Sequence, residues 1–210
     1  MTPDAMKTID VAGTPWREAY ARITEIVQPR PIALASTLDP ELGPNLAPFS
    51  FFTVVSSNPL YLAFSPQIAG LTGKKKDTLL NIERHPEFVI ATVTETIAEQ
   101  VNRASTPLPH GESEFDFTGL TPVPAQKVRA FCVKESPVNM ECTLVEIRSY
   151  GSEGGGGNLI VARVELIHID ESVLDPGGRV DPELLQTVAR MGGENWCRSR
   201  DRFSYPRPDR

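Results

Sequence analysis

Between Arg30 and Ser57 the chain reads RPIALASTLDPELGPNLAPFSFFTVVSS, and this stretch restricts the fold more than any other. Ile32–Leu38 is short and apolar. The cluster Asp39-Pro40-Glu41-Leu42-Gly43-Pro44 is dense in turn residues, so the chain must reverse there. Asn45–Val55 then reads as a second, longer strand, which makes the pair a hairpin. The second strand is almost uncharged. It carries small polar groups (Asn45, Ser50, Thr53, Ser56, Ser57) among aromatic and small apolar residues. The wet face of a purely structural hairpin usually carries charge. This strand instead suits a flat ligand, polar only at its edges, lying against it.

The surrounding pattern is rich in strands. From Pro15, the run PWREAYARITEIV sets Trp16, Ala19, Tyr20, Ile23, Ile26 and Val27 at helical spacing. Thr14 is the expected cap and Pro15 the first helical residue. Pro29 and Pro31 end this helix by Gln28. Leu60–Phe64, Phe88–Val93, Phe131–Glu135, Val138–Tyr150 and Asn158–Asp170 are β-type runs. The last two are joined by a flexible loop containing the Gly154–Gly157 tetrad. A helix opens at Lys76 or Asp77 (DTLLNIERH), Glu95–Ala104 is helical by composition, and Asp181 caps a helix expected to run through ELLQTVAR. Thr106–Gly119 is irregular, with Glu112–Phe117 a short helix or a mobile loop. Strands and helices do not alternate regularly, which disfavours a doubly wound parallel sheet and favours a closed antiparallel barrel with peripheral helices.

The 210 residues are read as one domain, 1–210, with a loose arm over about 1–13 and a C-terminal helix plus tail over about 181–210. A net charge of −6 argues against nucleic acid, whose phosphates require concentrated Lys and Arg. No window approaches ~18 consecutive apolar residues, and the polar N-terminus lacks the apolar core of a signal peptide, so neither a membrane span nor export is expected. The three cysteines (Cys132, Cys142, Cys197) show no C-x-x-C spacing, which leaves a reducing cytoplasm as the default. Cys132 and Cys142 read as small core residues. Glu112, Glu114 and Asp116 lack a histidine at ligand spacing. They read as a solvated loop face, and no metal is expected.

Lys74-Lys75-Lys76-Asp77-Thr78 places a lysine cluster and a hydroxyl at a helix start, where free N–H groups and positive charge favour a phosphate. With the hairpin, it suggests a ligand with a ring at one end and a phosphate at the other. Ser50 as a hydrolytic nucleophile lacks the G-x-S-x-G elbow.

Four segments, N-L-A-P-F-S-F-F, K-D-T-L-x-N-I, GLTPVP and V-N-M-E-C, resemble the flavin reductase-like family, which includes flavoredoxins and NAD(P)H-dependent flavin reductases. The resemblance runs from about Tyr20 to about Asp170. It implies a mainly β protein with peripheral helices, built on a six-stranded antiparallel Greek-key split β-barrel that binds FMN near the interface of a homodimer. By motif match, Asn45, Leu46, Ala47, Ser50 and Phe51 would contact the isoalloxazine. Lys76 and Thr78 would hold the phosphate together with Lys74 or Lys75, Asp77 would also line the cofactor site, and Ser36 and Thr37 would reach the cofactor from the first strand. The implied activity is transfer of a hydride from NADH or NADPH to flavin N5, then to flavin, another small acceptor or a redox partner protein. The alternative is a flavoredoxin-like electron carrier without NAD(P)H oxidation. Such chemistry requires no acid–base dyad from the protein. His168 and His110 are candidates for nicotinamide contact, and His85 reads as a helix-end residue. Arg190-Met191-Gly192-Gly193 is similar to a family segment R-x-G-G-x-x-Y, with Trp196 in place of the tyrosine.

Overall fold

The computed structural model describes residues 6–109 and 111–208. In chain order its elements are α1 (Trp16–Ile26), β1 (Ala33–Asp39), β2 (Gly43–Phe49), β3 (Phe52–Ser57), β4 (Leu60–Phe64), α2 (Asp77–Arg84) and β5 (Glu87–Thr92). There follow α3 (Ala98–Arg103), α4 (Glu114–Thr118), β6 (Pro122–Pro124), β7 (Phe131–Val133), β8 (Val138–Tyr150) and β9 (Gly157–Ile169). The chain ends with α5 (Pro182–Leu185), β10 (Val188–Arg190) and β11 (Trp196–Arg198).

The expected hairpin forms between β1 and β2, in register from Asp39 opposite Gly43 to Ala33 opposite Phe49. Asp39 Oδ1 accepts the peptide N–H groups of Glu41 (2.9 Å) and Leu42 (3.2 Å), and Gly43 takes a φ of +97° that a side chain would resist. The second strand does not run through to Val55. It breaks at Ser50-Phe51 into β2 and β3, and this break closes the fold. The main sheet has seven antiparallel strands in the order β2, β1, β5, β8, β9, β4, β3. Its first and last strands are thus separated by two residues of chain. A sheet whose opposite edges are tethered so closely must curl until they meet, giving a barrel split beside the Ser50-Phe51 corner. Taken as one bent strand, β2 and β3 restore the six expected from the resemblance.

Alternation along β1 sorts the core into two layers. Ala33 and Ala35 face the barrel interior with Phe49, Phe64, Phe88, Ile90 and Ile160, closed at one end by Leu79 and Ile82 of α2. Leu34 faces outward and packs with Leu46, Val93, Val101, Phe115 and Leu120 beneath α3 and α4.

Three expectations are corrected. Pro15, not Thr14, occupies the cap of α1 and makes no side-chain cap bond. The C-terminal helix stops after Leu185. Gln186 adopts a left-handed φ of 49°, and Val188–Arg190 becomes a strand paired with β11. The Gly154–Gly157 segment is a packing surface rather than a loose tip. Gly155 N–H donates to the Ile68 carbonyl (3.0 Å), Ile68 N–H donates to that of Gly156 (2.8 Å), and a Cβ on Gly155 would lie 2.8 Å from the Trp16 ring. Among the described residues, no helix is long and apolar enough to cross a membrane.

Candidate functional site

The polar residues of the hairpin and of α2 meet in one hydrogen-bonded network. Asn45 Oδ1 accepts from the hydroxyls of Thr78 (2.9 Å) and Thr37 (3.2 Å), and Asn81 Nδ2 donates to Thr37 Oγ1 (3.0 Å). On the other side of the amide, Asn45 Nδ2 donates to Glu114 Oε2 (2.8 Å), and the same oxygen accepts the Leu46 N–H (2.9 Å). Thr37, Thr78, Asn81 and Glu114 are all buried, so such pairing is what their burial requires. The start of α2 stands against this network. Lys76 is its cap residue and makes no side-chain cap bond, so the positive end of the helix dipole is not met by a capping side chain there. Lys74, Lys75 and Lys76 are exposed. Lys75 pairs with Glu83 at 2.5 Å, whereas neither Lys74 nor Lys76 forms a salt bridge among the described residues.

The outer edge of β2 has a definite polarity. In a strand the N–H and C=O of one residue point the same way. The Leu46 N–H reaches outward to Glu114, and the Pro44 carbonyl outward to the Ser113 hydroxyl (2.7 Å). Pro44, Leu46 and Pro48 are therefore the outward positions, and two of them have no N–H. Beyond Glu114 this edge offers carbonyl acceptors. The peptide groups of Ala47 turn the other way, toward β1.

At the corner, Arg30 is 5% exposed and has no carboxylate partner in its hydrogen bonds. Nη1 donates to the carbonyls of Thr24 (2.7 Å) and Val27 (3.0 Å) at the end of α1, Nη2 to that of Met191 (2.9 Å), and Nε to Ser50 Oγ (3.4 Å). A cation at a helix C-terminus meets the negative end of the helix dipole. Burial lowers the Arg30 pKa, Tyr20 opposes that shift, and Arg190 adds to it. The Phe51 and Tyr20 rings lie 6.2 Å apart. Beside the corner opens a mostly apolar cleft of about 260 Å³ whose lining includes Pro31, Ile32, Phe52, Met140 and Val188.

The candidate residues from the sequence divide accordingly. Thr37, Asn45 and Thr78 join the network, Lys74, Lys76 and Asp77 flank it, and Ser50 and Phe51 form the corner. Ser36 lies on the opposite face of β1 from Thr37, fully buried, with no hydrogen-bond partner for its hydroxyl among the described residues. The Leu46 side chain also faces the outer layer, so only its backbone reaches the site. His168, on β9, places Nε2 2.6 Å from Glu141 Oε1 of β8, and three strands stand between β9 and β2 in the sheet order. Cys132 joins them, the three ligand atoms lying within 4.8 Å of one another, while both Glu141 oxygens already accept peptide N–H groups. Burial and then Glu141 push the Cys132 thiol up to about 11. His110 lies outside the described residues. Trp196 packs against the Arg190 guanidinium, whose carbon lies 5.2 Å from the ring centre.

Glu114, Arg30 and Asn81 were not picked out from the sequence. The Glu112–Phe117 acids do not act as one solvated face. Ser113 caps α4, Phe115 enters the outer core, and Glu114 seals the edge of β2. Burial raises the Glu114 pKa, bonds from the Leu46 N–H, its own N–H and Asn45 work against that, and nearby Asp77 adds to the rise. The one available signal for Arg30 was a lone charge at the head of an apolar run, set between prolines.

The architecture is a split antiparallel barrel with a basic helix start beside a polar strand edge. Residues 28–185 match the family model described as flavin reductase like domain, and the chain belongs to that family. BH2278, an uncharacterized protein of Halalkalibacterium halodurans, is 34% identical over 199 residues, covering 91% of this chain and 92% of its own. Among solved structures, nitrilotriacetate monooxygenase component B from Bacillus cereus superposes with a TM-score of 0.89 at 29% identity, over 96% of this chain and 99% of that one. A Shewanella frigidimarina NCIMB 400 chain with a split barrel domain superposes at 0.80 with 23% identity, over 94% and 96% of the two chains. The fold is the flavin reductase-type split barrel, and the protein is a flavin-related oxidoreductase of that family.

Proposed function

We propose that the protein is an FMN-dependent oxidoreductase that takes electrons from NADH or NADPH and passes them to flavin or another small acceptor. The observation that carries this reading is the meeting of an uncapped, lysine-flanked helix start with the Thr37–Asn45–Thr78 network at the edge of β2. The residues fit the group. Lys74, Lys76 and the first N–H groups of α2 would hold the phosphate, and the outward carbonyls of Leu46 and Pro48 would meet the donor edge of the ring. Ala47, Ser50 and Phe51 would lie along the ring itself. Bound FMN would supply the redox chemistry, accepting a hydride from the nicotinamide. The chain's part would be to bind and orient the ring, work that requires no acid–base dyad.

The same reading includes a homodimer. Ile23, Ile26 and Val27 along α1 are 48%, 72% and 54% exposed, and Val54 and Val55 on the edge strand β3 are 62% and 53% exposed. Apolar side chains this exposed on α1 and on β3 suit cover by a second copy.

The test is the visible spectrum of the purified protein, followed by anaerobic titration with NADH and NADPH. A yellow protein, or one that takes up added FMN, whose band bleaches with either nucleotide supports the reductase. Bleaching only when a reduced protein partner is supplied supports the carrier, and failure to bind FMN refutes both. Lys76→Ala should weaken FMN binding about tenfold, the worth of one hydrogen bond to a charged group.

A further inference from the structure

We infer that Glu114 is a positioning residue that fixes the phosphate end of the site to its ring end, by holding the Asn45 amide in the one orientation that anchors the start of α2. The inference rests on the FMN reading above and adds to it a residue that touches no cofactor atom.

An asparagine amide presents a donor face and an acceptor face, and which way it points is set by its partners. Here Oδ1 is needed by two hydroxyl donors, Thr78 on α2 and Thr37 on β1. Nothing in that pair forces the choice, because a hydroxyl accepts as readily as it donates. Glu114 forces it. An ionised carboxylate offers only acceptors, so the face of Asn45 turned to Oε2 must be the NH₂. The carboxylate cannot drift after the amide, since the same oxygen is pinned by the Leu46 N–H and Ser113 ties the start of α4 to the Pro44 carbonyl. The chain of bonds runs from α4 through the β2 edge to the first turn of α2. Glu114, Leu46, Thr37 and Thr78 are buried and Asn45 is half-buried, so water competes poorly for these bonds.

The consequence is specific. Loosening the start of α2 should weaken the grip on a phosphate while leaving contacts along the ring intact. FMN and riboflavin differ by that phosphate, so the ratio of their dissociation constants, measured by quenching of flavin fluorescence in the folded protein, isolates the effect. Glu114→Ala should lower FMN affinity about tenfold with riboflavin affinity unchanged. Glu114→Gln keeps an acceptor oxygen and should restore the ratio. Asn45→Asp keeps the side-chain shape but replaces the donor facing Glu114 by an acceptor, and should reproduce the loss without removing any packing. E114A or N45D with a wild-type ratio overturns the inference, as does a wild-type protein that binds both flavins equally. An equal loss for both flavins makes Glu114 merely structural and also overturns it. A wild-type protein that binds neither flavin refutes the FMN reading instead, so the two failures are distinguishable. If E114A does not fold, N45D against E114Q decides.

Discussion

Removing Glu141 should destabilise the barrel more than any loss of charge would explain. This carboxylate is fully buried on the outer face of β8. Oε1 accepts the Gln126 N–H at 2.8 Å, and Oε2 accepts those of Lys127 (2.6 Å) and Val128 (3.1 Å). His168 Nε2 completes the set at 2.6 Å. Burial alone would raise the Glu141 pKa, but the Gln126 N–H, His168 and the remaining peptide donors outweigh it and hold the group below its usual range. Glu141→Ala leaves the donor of Val128 buried and unpaired, at about 1–3 kcal/mol, and those of Gln126 and Lys127 partly hydrated, at about 0.5–1.5 kcal/mol each. The expected loss is roughly 2–6 kcal/mol, or about 1–2 M in the urea midpoint. Glu141→Gln should cost about 1–3 kcal/mol, because its oxygen still serves Lys127 and Val128 while its NH₂ opposes the Gln126 N–H. Urea unfolding of flavin-free protein at one fixed concentration is the assay, since a bound ligand or a second subunit would shift apparent stability. An alanine variant within about 0.5 kcal/mol of wild type, with an unchanged m-value, refutes the reasoning. A glutamine variant as damaged as the alanine one would assign the effect to charge rather than to acceptors.

Glu114 gives the opposite pH behaviour to Glu141. Its folded pKa is raised, so the folded state binds the extra proton and stability falls as pH rises from the unfolded carboxyl value through the folded one. Urea midpoints across that window should be flatter in E114Q than in wild type, and identical slopes would refute this. Glu141, with its pKa lowered, contributes stability that is present above the unfolded value and lost as pH falls through the folded one. Gly155→Ala, at φ +89° and 2.8 Å from the Trp16 ring, should cost about 1–3 kcal/mol, and adding Trp16→Ala should recover only the clash and not the backbone strain. A single variant as stable as wild type would show that the loop yields. Ile26→Glu should give a monomer by light scattering with little change in unfolding midpoint, because Ile26 is 72% exposed within one chain. An unaltered dimer mass would place the interface elsewhere.

The β1–β2 hairpin was legible because its turn is written locally, in Asp39, Pro40 and Gly43, and β8 was legible because Val138–Tyr150 is unbroken β-type sequence. The corner at Ser50-Phe51 was not, since both halves of a bent strand keep the same composition and only pairing with β1 on one side and β4 on the other shows the bend. The strand at Val188–Arg190 was hidden behind good helix-forming neighbours, and it is docked by the bond from Val188 N–H to the Val93 carbonyl, 95 positions away. Helix α1 was recognised, but its apolar stripe implied a buried face that a single chain leaves exposed. Glu114 was misread for a related reason. An acid in a polar loop looks solvated until the residue it seals, 69 positions earlier, is brought beside it.

Arg30 shows how these separate pieces become one site. Its backbone exchanges both hydrogen bonds with Arg190, at 2.9 Å each, while its guanidinium holds the end of α1, the Met191 carbonyl and the Ser50 hydroxyl. A buried carboxylate partner would bind the cation more tightly, but it would satisfy it at one point. Carbonyl and hydroxyl acceptors from three segments spread the same positive charge over the helix end, the C-terminal hairpin and the barrel corner. The exposed face of α1 and the corner beside the proposed ring are therefore held in one geometry by a single side chain. Gly192 reinforces this: a Cβ there would lie 2.8 Å from Glu25 Cγ of α1, so the C-terminal segment can close on the helix only with glycine at that position. Whatever covers α1 accordingly bears on the placement of Ser50 and Phe51 through Arg30, and the proposed dimer and the proposed flavin site should be lost or kept together.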